Sequence, residues 1–544
     1  MKKSLAVIIG ILFCITANSQ EINAVVTRQD KNNNGWYQLS SQPSVVLGEN
    51  DAISIVVNSE TKETYTLSGD NTLTILFGSA INEEVSASNL KVSYPILIQS
   101  SGILNVSGTM TNTKAEDLII EDGGQLVTGS SVTATAMKHI ENTPASKDDQ
   151  ARSWYTISSP LAANTDVTGI TNLIPSDGIT NQDYDLYRFN EVAFSWENAR
   201  PADGQNPDFT TIDKGIGYIY SNKATTDIAF AGNINVEDIN VDLTLTTAKG
   251  NGYNLIGNPF MQNITLNDIT TVPAESLIIV ADGKSESFGL ADGFYVLNND
   301  NTWGTRPMTG EIKPLQGFLV QANESCKATI SRPASGSKGE RSNEQSTNIE
   351  IIVSNSSYTD NAYAMFGEGT GLNKVSHRNA EAPMLYIPQG NEDFAIAFMN
   401  ENTTVFPLNF KAMTTGNYSI SLNATDDIRS LVLIDNMTGV ETNMLLEDSY
   451  SFIGSPADKE NRFTVKLAIS HNDGQSDSEH FVYQSGSELV INGEGTLQIF
   501  DVLGRVVISE EVHGQTVNVG NLSTGAYIVR LTGESVMTQK IVVR

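Results

Sequence analysis

Apolar positions along the chain fall into short runs and alternations separated by polar turns. Ile53–Val57 and Thr72–Phe77 show this near the start, and the pattern predicts strands. Ile96-Leu-Ile-Gln-Ser-Ser-Gly102-Ile-Leu104 then aligns with Leu118-Ile-Ile-Glu-Asp-Gly-Gly124-Gln-Leu126 at an offset of 22 residues. One apolar strand and a glycine turn per unit suit stacked rungs of a β-solenoid, and a hairpin meander would read the same way. A longer repeat follows. Trp154-Tyr-Thr-Ile-Ser-Ser-Pro160-Leu161 corresponds to Tyr253-Asn-Leu-Ile-Gly-Asn-Pro259-Phe260, 99 residues on. Tyr184-Asp-Leu-Tyr187-Arg-Phe-Asn190, leading to Trp196, resembles Phe294-Tyr295-Val-Leu-Asn298, leading to Trp303. Lys214-Gly-Ile-Gly217-Tyr-Ile-Tyr-Ser-Asn222 resembles Pro314-Leu-Gln-Gly317-Phe-Leu-Val-Gln-Ala-Asn323, offset by 100. Order and spacing both recur, so a duplicated β module is expected. From Asn348 a further set of alternating runs ends near Ile469, with Asp435-Asn-Met-Thr-Gly439 as a hairpin turn, and predicts a β-sandwich.

These readings divide the chain into an all-β, multidomain series. Residues 1–19 form a presequence and 20–145 an N-terminal β region with solenoid-like repeats. The duplicated module covers 146–332, with units at about 152–250 and 251–332. A Ser-, Gly- and charge-rich linker spans 333–347, the β-sandwich 348–470 and a polar linker 471–480. A last domain covers 481–544.

Composition removes several function classes. Lys plus Arg number 33 and Asp plus Glu 63, so the net charge is 33 − 63 = −30. That balance excludes a general phosphate-neutralising surface, and with it a nucleic-acid binder or a protein docked on anionic lipid. It favours solubility and cationic partners or Ca²⁺. Lys2 and Lys3, the apolar run Leu5–Ile15 and the small residues Ala17-Asn18-Ser19 read as a secretory signal cleaved between Ser19 and Gln20. No later run is long enough to predict a membrane span. With Cys14 in the presequence, Cys326 is left as a lone buried thiol and no disulfide is expected.

The sharpest pattern closes the sequence. Asp501-Val-Leu-Gly504-Arg505 stands between two apolar strands, Gly525-Ala-Tyr527 opens a third, and Lys540-Ile-Val-Val-Arg544 ends a fourth. The three blocks, in this order over about 65 residues from Phe481, resemble the type A C-terminal sorting domain of the type IX secretion system. Ser523 stands where the family often has proline. The resemblance implies an Ig-like β-sandwich, with Asp501, Gly504, Arg505, Gly525, Tyr527, Lys540 and Arg544 as the sorting signal. It implies the type IX machinery and its sorting peptidase as partners, and delivery through the periplasm and across the outer membrane. More loosely, the middle modules resemble adhesin-like surface proteins carried by the same system.

Chemistry is sparse. His139, His377, His471, His480 and His513 form no metal-binding spacing, and His377 reads as a surface residue of the Gly367–Asn379 loop. The acidic pairs Glu83-Glu84, Asp148-Asp149 and Asp426-Asp427 all fall in polar turns. Asp30-Lys-Asn32-Asn-Asn34-Gly35 resembles the opening of a Ca²⁺ loop, but Ser41 stands where the bidentate Glu belongs. An Asn/Gly turn is the simpler reading. If a metal binds, it is Ca²⁺ at Asp30, Asn32 and Asn34, and no other cofactor is expected. Trp196 and Trp303 stand at corresponding places in the duplicated units. Each either fills a module core or offers a face to a sugar ring. The expectation is a secreted or cell-surface, non-catalytic, adhesin-like or structural protein for glycan or extracellular protein ligands. The alternative is a hydrolase using carboxylates on β-scaffold loops.

Overall fold

A computed structural model describes residues 78–141, 153–173, 184–199, 206–246, 251–273, 289–333, 347–469 and 481–543, apart from isolated positions within them. Of residues 24–77 it gives the backbone of the strands. The described chain is built from strands, with a few single 3₁₀ turns between them and no α-helix. Two compact units emerge. One comprises 1–289 with 309–340, the other 290–308 with 341–544.

The first unit opens on antiparallel strands. Ala24–Gln29 lies between Asn33–Gln38 and Leu73–Ile81, with Val26 opposite both Trp36 and Leu76. From Ser79 the pairing becomes parallel. Ser79, Ile96 and Leu118 follow one another across adjacent strands, and Ile120 pairs onward with Ala136. A second parallel stack sets Glu84 beside Ile103 and Leu104 beside Leu126. Ile96 with Leu118 and Leu104 with Leu126, each pair 22 residues apart, thus lie on parallel strands, whereas hairpin neighbours pair antiparallel. The corners explain the glycines. A Cβ on Gly102 would lie 2.1 Å from the carbonyl oxygen of Ile81, so the preceding rung passes too close for any side chain. Ile96, Ile98, Leu104, Leu118, Ile120 and Leu126 point into the stack and are buried. The final strand, Thr133–Ile140, pairs antiparallel with Thr226–Asn233.

The next residues form a four-stranded sheet in the order Tyr155–Ile157, Tyr218–Asn222, Tyr184–Asn190, Ser195–Asn198. Ile157 faces Tyr218 and Tyr155 faces Tyr220. In the pair Tyr253–Gly257 with Gly317–Ala322, Ile256 faces Phe318 and Asn254 faces Val320. Those are the positions the 99- and 100-residue offsets superpose.

In the second unit, Asn348–Ile469 forms one long sheet closed around a single core. Met384–Gln389 joins its halves by pairing with both Glu392–Met399 and Val405–Lys411. Ile351, Leu385, Phe410, Leu433 and Val465 meet inside. Asp435 and Arg462 are buried in this unit, with Nη2 to Oδ2 at 2.9 Å. Asp435 also accepts from Met437 N and Tyr450 Oη, while the guanidinium lies 4.4 Å over the Phe452 ring. Burial alone would raise the Asp435 pKa, but the hydrogen bonds from Arg462, Met437 and Tyr450 hold it below the usual carboxylate range. The hairpin Leu290–Leu297 with Trp303–Pro307 packs in this unit as well.

The last domain has two sheets. Val482–Ser485, Glu488–Ile491 and Thr516–Asn518 make one. Val506–His513, Glu494–Phe500, Gly525–Thr532 and Val536–Val543 make the other, in that order. Leu497, Ile499, Val529 and Leu531 fill the space between them. Lys466 Nζ reaches Glu488 at 3.0 Å, and Thr516 Oγ1 donates to Glu441 at 3.0 Å, fastening this domain to the preceding sheet.

Candidate functional sites: the C-terminal turn and an aromatic hairpin

The turn at 501–505 is held by one carboxylate. Asp501 Oδ1 accepts from Leu503 N at 2.9 Å and Arg505 N at 3.0 Å, and Oδ2 accepts from Arg505 Nε at 2.7 Å. Asp501 and Arg505 also exchange backbone contacts: Asp501 N donates to Arg505 O, and Gly504 N to Asp501 O. Gly504 sits at φ +78°, a conformation glycine adopts without a Cβ clash. The backbone and side-chain hydrogen bonds from Arg505 keep the Asp501 carboxyl below its ordinary pKa. These bonds fix a frame that projects Val502 and Leu503, 77% and 74% exposed, from its tip. The apolar surface continues on the outer face of the sheet. Phe500 is flanked by Val506 and Ile528, Ile528 faces Lys540, and Ala526 faces Val542. Tyr527 points inward, and its hydroxyl donates to Ser523 O at 2.8 Å. Gly525 begins that strand opposite Val543. Asp501, Gly504 and Arg505 thus act as the frame of the turn. The apolar tip they present was not singled out in the sequence, because two apolar residues in a turn carry no signal without the frame.

Residues 483–544 match the family described as the secretion system C-terminal sorting domain. The chain is cargo of type IX secretion. Export by that route takes it to the cell surface or the extracellular space, and its sorting domain engages the secretion machinery. No curated protein matches the chain. Among the described residues, no helix is long and apolar enough to cross a membrane.

A second site is the hairpin Tyr184–Asn190 with Ser195–Asn198. Phe189 faces Trp196, their rings 5.1 Å apart, and Phe194 meets Phe189 edge-on at 6.0 Å. Tyr187 lies two residues from Phe189 on the same face, 5.8 Å from Trp154. Trp196 is 37% exposed and Phe194 59%. The opposite face is polar and tied down. Arg188 Nε and Asn190 Nδ2 donate to Glu197 at 2.5 and 2.7 Å. Burial would raise the Glu197 pKa, but those donors hold it low. At the tip, buried Glu191 accepts from Thr246 N at 2.6 Å, Thr246 Oγ1 at 2.9 Å and Gly252 N at 3.2 Å. Phe194 itself has φ +51°, strained for a bulky side chain and sustained by this anchorage.

The corresponding tryptophan is placed differently. Trp303 is 6% exposed and opposite Leu297, so its ring belongs to a core. His377 is a correction to the surface reading. Its side chain is 2% exposed and stands with Asp360 and Lys374 against Trp303 N, because the loop carrying it folds back onto the hairpin Leu290–Leu297/Trp303–Pro307. Cys326 is buried and unbridged. Burial, then Glu324, pushes its thiol up to about 11, away from the reactive thiolate. Asn34 stands in a strand with its backbone opposite Arg28. Asp30, Asn32, Ser19, Gln20 and Arg544 lie outside the described residues. Among the described residues no cluster of three or more His, Cys, Asp or Glu is arranged to hold a metal.

Proposed function

We propose that this exported protein is a non-catalytic, adhesin-like surface protein, and that the aromatic face of the hairpin at 184–198 holds a glycan. The supporting observation is the ladder Phe194–Phe189–Trp196, its two outer rings exposed, on a hairpin whose reverse face and tip are fixed by buried and half-buried carboxylates. Rigid aromatic rings give contact area at low entropic cost, and the C–H faces of a pyranose ring stack on them. The acidic balance of the chain favours neutral sugars over sulfated or uronic ones.

The full chain, screened against neutral and acidic polysaccharides, is expected to bind a neutral one saturably. W196A and F194A should each weaken that binding at least tenfold, about 1.4 kcal/mol, with an unchanged melting temperature. Binding that survives both substitutions would overturn the assignment of this face.

A further inference from the structure

The second unit contains a lysine and an aspartate that are both sealed from water. Lys374 and Asp360 side chains are 2% and 0% exposed. Lys374 Nζ stands 2.6 Å from Oδ1 and 2.6 Å from Oδ2. An amine nitrogen equally close to both carboxyl oxygens also lies within about 3 Å of the carbon between them, the distance from which attack starts. A backbone N–H donates to one carboxyl oxygen, and an imidazole nitrogen stands beside the other. Leu385 N donates to Oδ2 at 2.7 Å. His377 Nδ1 accepts from the backbone N–H of Trp303 at 3.0 Å, which places the ring proton of the neutral imidazole on Nε2. Nε2 lies 3.3 Å from Oδ1, buried and without a well-aligned hydrogen bond, free to donate once the carboxyl group shifts towards it.

We propose that Lys374 and Asp360 form an intramolecular isopeptide bond, with Leu385 N–H and His377 Nε2–H polarising the carboxyl group. One ammonium proton first passes to the carboxylate, giving a neutral amine beside a neutral acid. Nζ then attacks Cγ, and the N–C bond forms as the C–O bond breaks. The second proton leaves with that oxygen, so ammonium and carboxylate become one amide and one water, with no oxidant or cofactor. Burial pulls the Lys374 pKa down, towards the amine that attack requires. Burial also favours the protonated acid, against the pull of Lys374 and His377, which hold the Asp360 pKa low in the ionic pair. Leu385 N–H is placed as a donor to Oδ2, the oxygen that stays as the amide carbonyl, while His377 Nε2 stands beside Oδ1, the oxygen that leaves as water. The amide removes two buried charges, each of which costs several kcal/mol to keep dry. It would also give an exported chain without a disulfide a covalent staple from the strand Thr359–Phe366 to the loop after Leu372–Asn373.

The test is a peptide map of the purified full chain. An amide-capped Lys374 resists trypsin, so the bonded protein yields a peptide covering 342–378, lighter by one water than its sequence. Cyanogen bromide cleavage at Met365, between the two partners, should leave its halves joined. K374R should abolish both signatures. Recovery of a wild-type peptide 342–374 at full mass, with separate halves after cleavage at Met365, would overturn the proposal and leave an ordinary buried ion pair.

Discussion

Asp435 and Arg462 show how a charged pair becomes structural. Each is nearly inaccessible, and Arg462 is further engaged by Asp458 Oδ2 and Ile453 O. Truncating the arginine would leave Asp435 buried without its cation, so R462A is expected to destabilise the second unit by about 3–5 kcal/mol, read from urea unfolding. The pH dependence follows from the depressed pKa of Asp435. The pair contributes fully above the unfolded-state aspartate value of about 3.9 and is lost as pH falls through the lower folded value. R462A should therefore show a shallower loss of stability between about pH 4 and pH 2 than the wild type. Neither this pair nor His377 was legible in the sequence. Burial of a polar residue depends on which distant strand closes over it. The partners of His377 are Asp360, seventeen positions away, and a backbone amide at Trp303.

At the scale of elements, the strands were the legible part. The 22-residue offset reappears as the parallel register of Ile96 with Leu118 and Leu104 with Leu126. The 99- and 100-residue offsets reappear as two strand pairs of equal register. Periodic apolar residues and corner glycines carry this information locally, so it survives in a single sequence. The environment of each hairpin does not. Trp196 faces Phe189 and stays accessible, whereas Trp303 faces Leu297 and is covered. The identical residue types therefore predict different losses. W303A should cost about 3–5 kcal/mol of stability through cavity formation. W196A should stay within about 0.5 kcal/mol of wild type in thermal unfolding. Equal losses at the two positions would contradict this difference in placement.

Across the whole molecule, the acidic balance, the strand-built units and the C-terminal domain suit a life outside the cell. The C-terminal blocks were legible because a turn requiring glycine, the carboxylate that braces it and the flanking strands lie close together in the chain. The family match covers the same stretch, residues 483–544. The ligand-facing surface was only partly legible, since aromatic residues read alike whether they plug a core or cover a face. Export is the central claim, and its most direct measurement is the location of a chain lacking residues 481–544, expressed in a host with an intact type IX system. Retention of the truncated chain in the periplasm, with the full chain at the surface or in the medium, is the expected result. Delivery of the truncated chain outside the cell at the full-length level would contradict it.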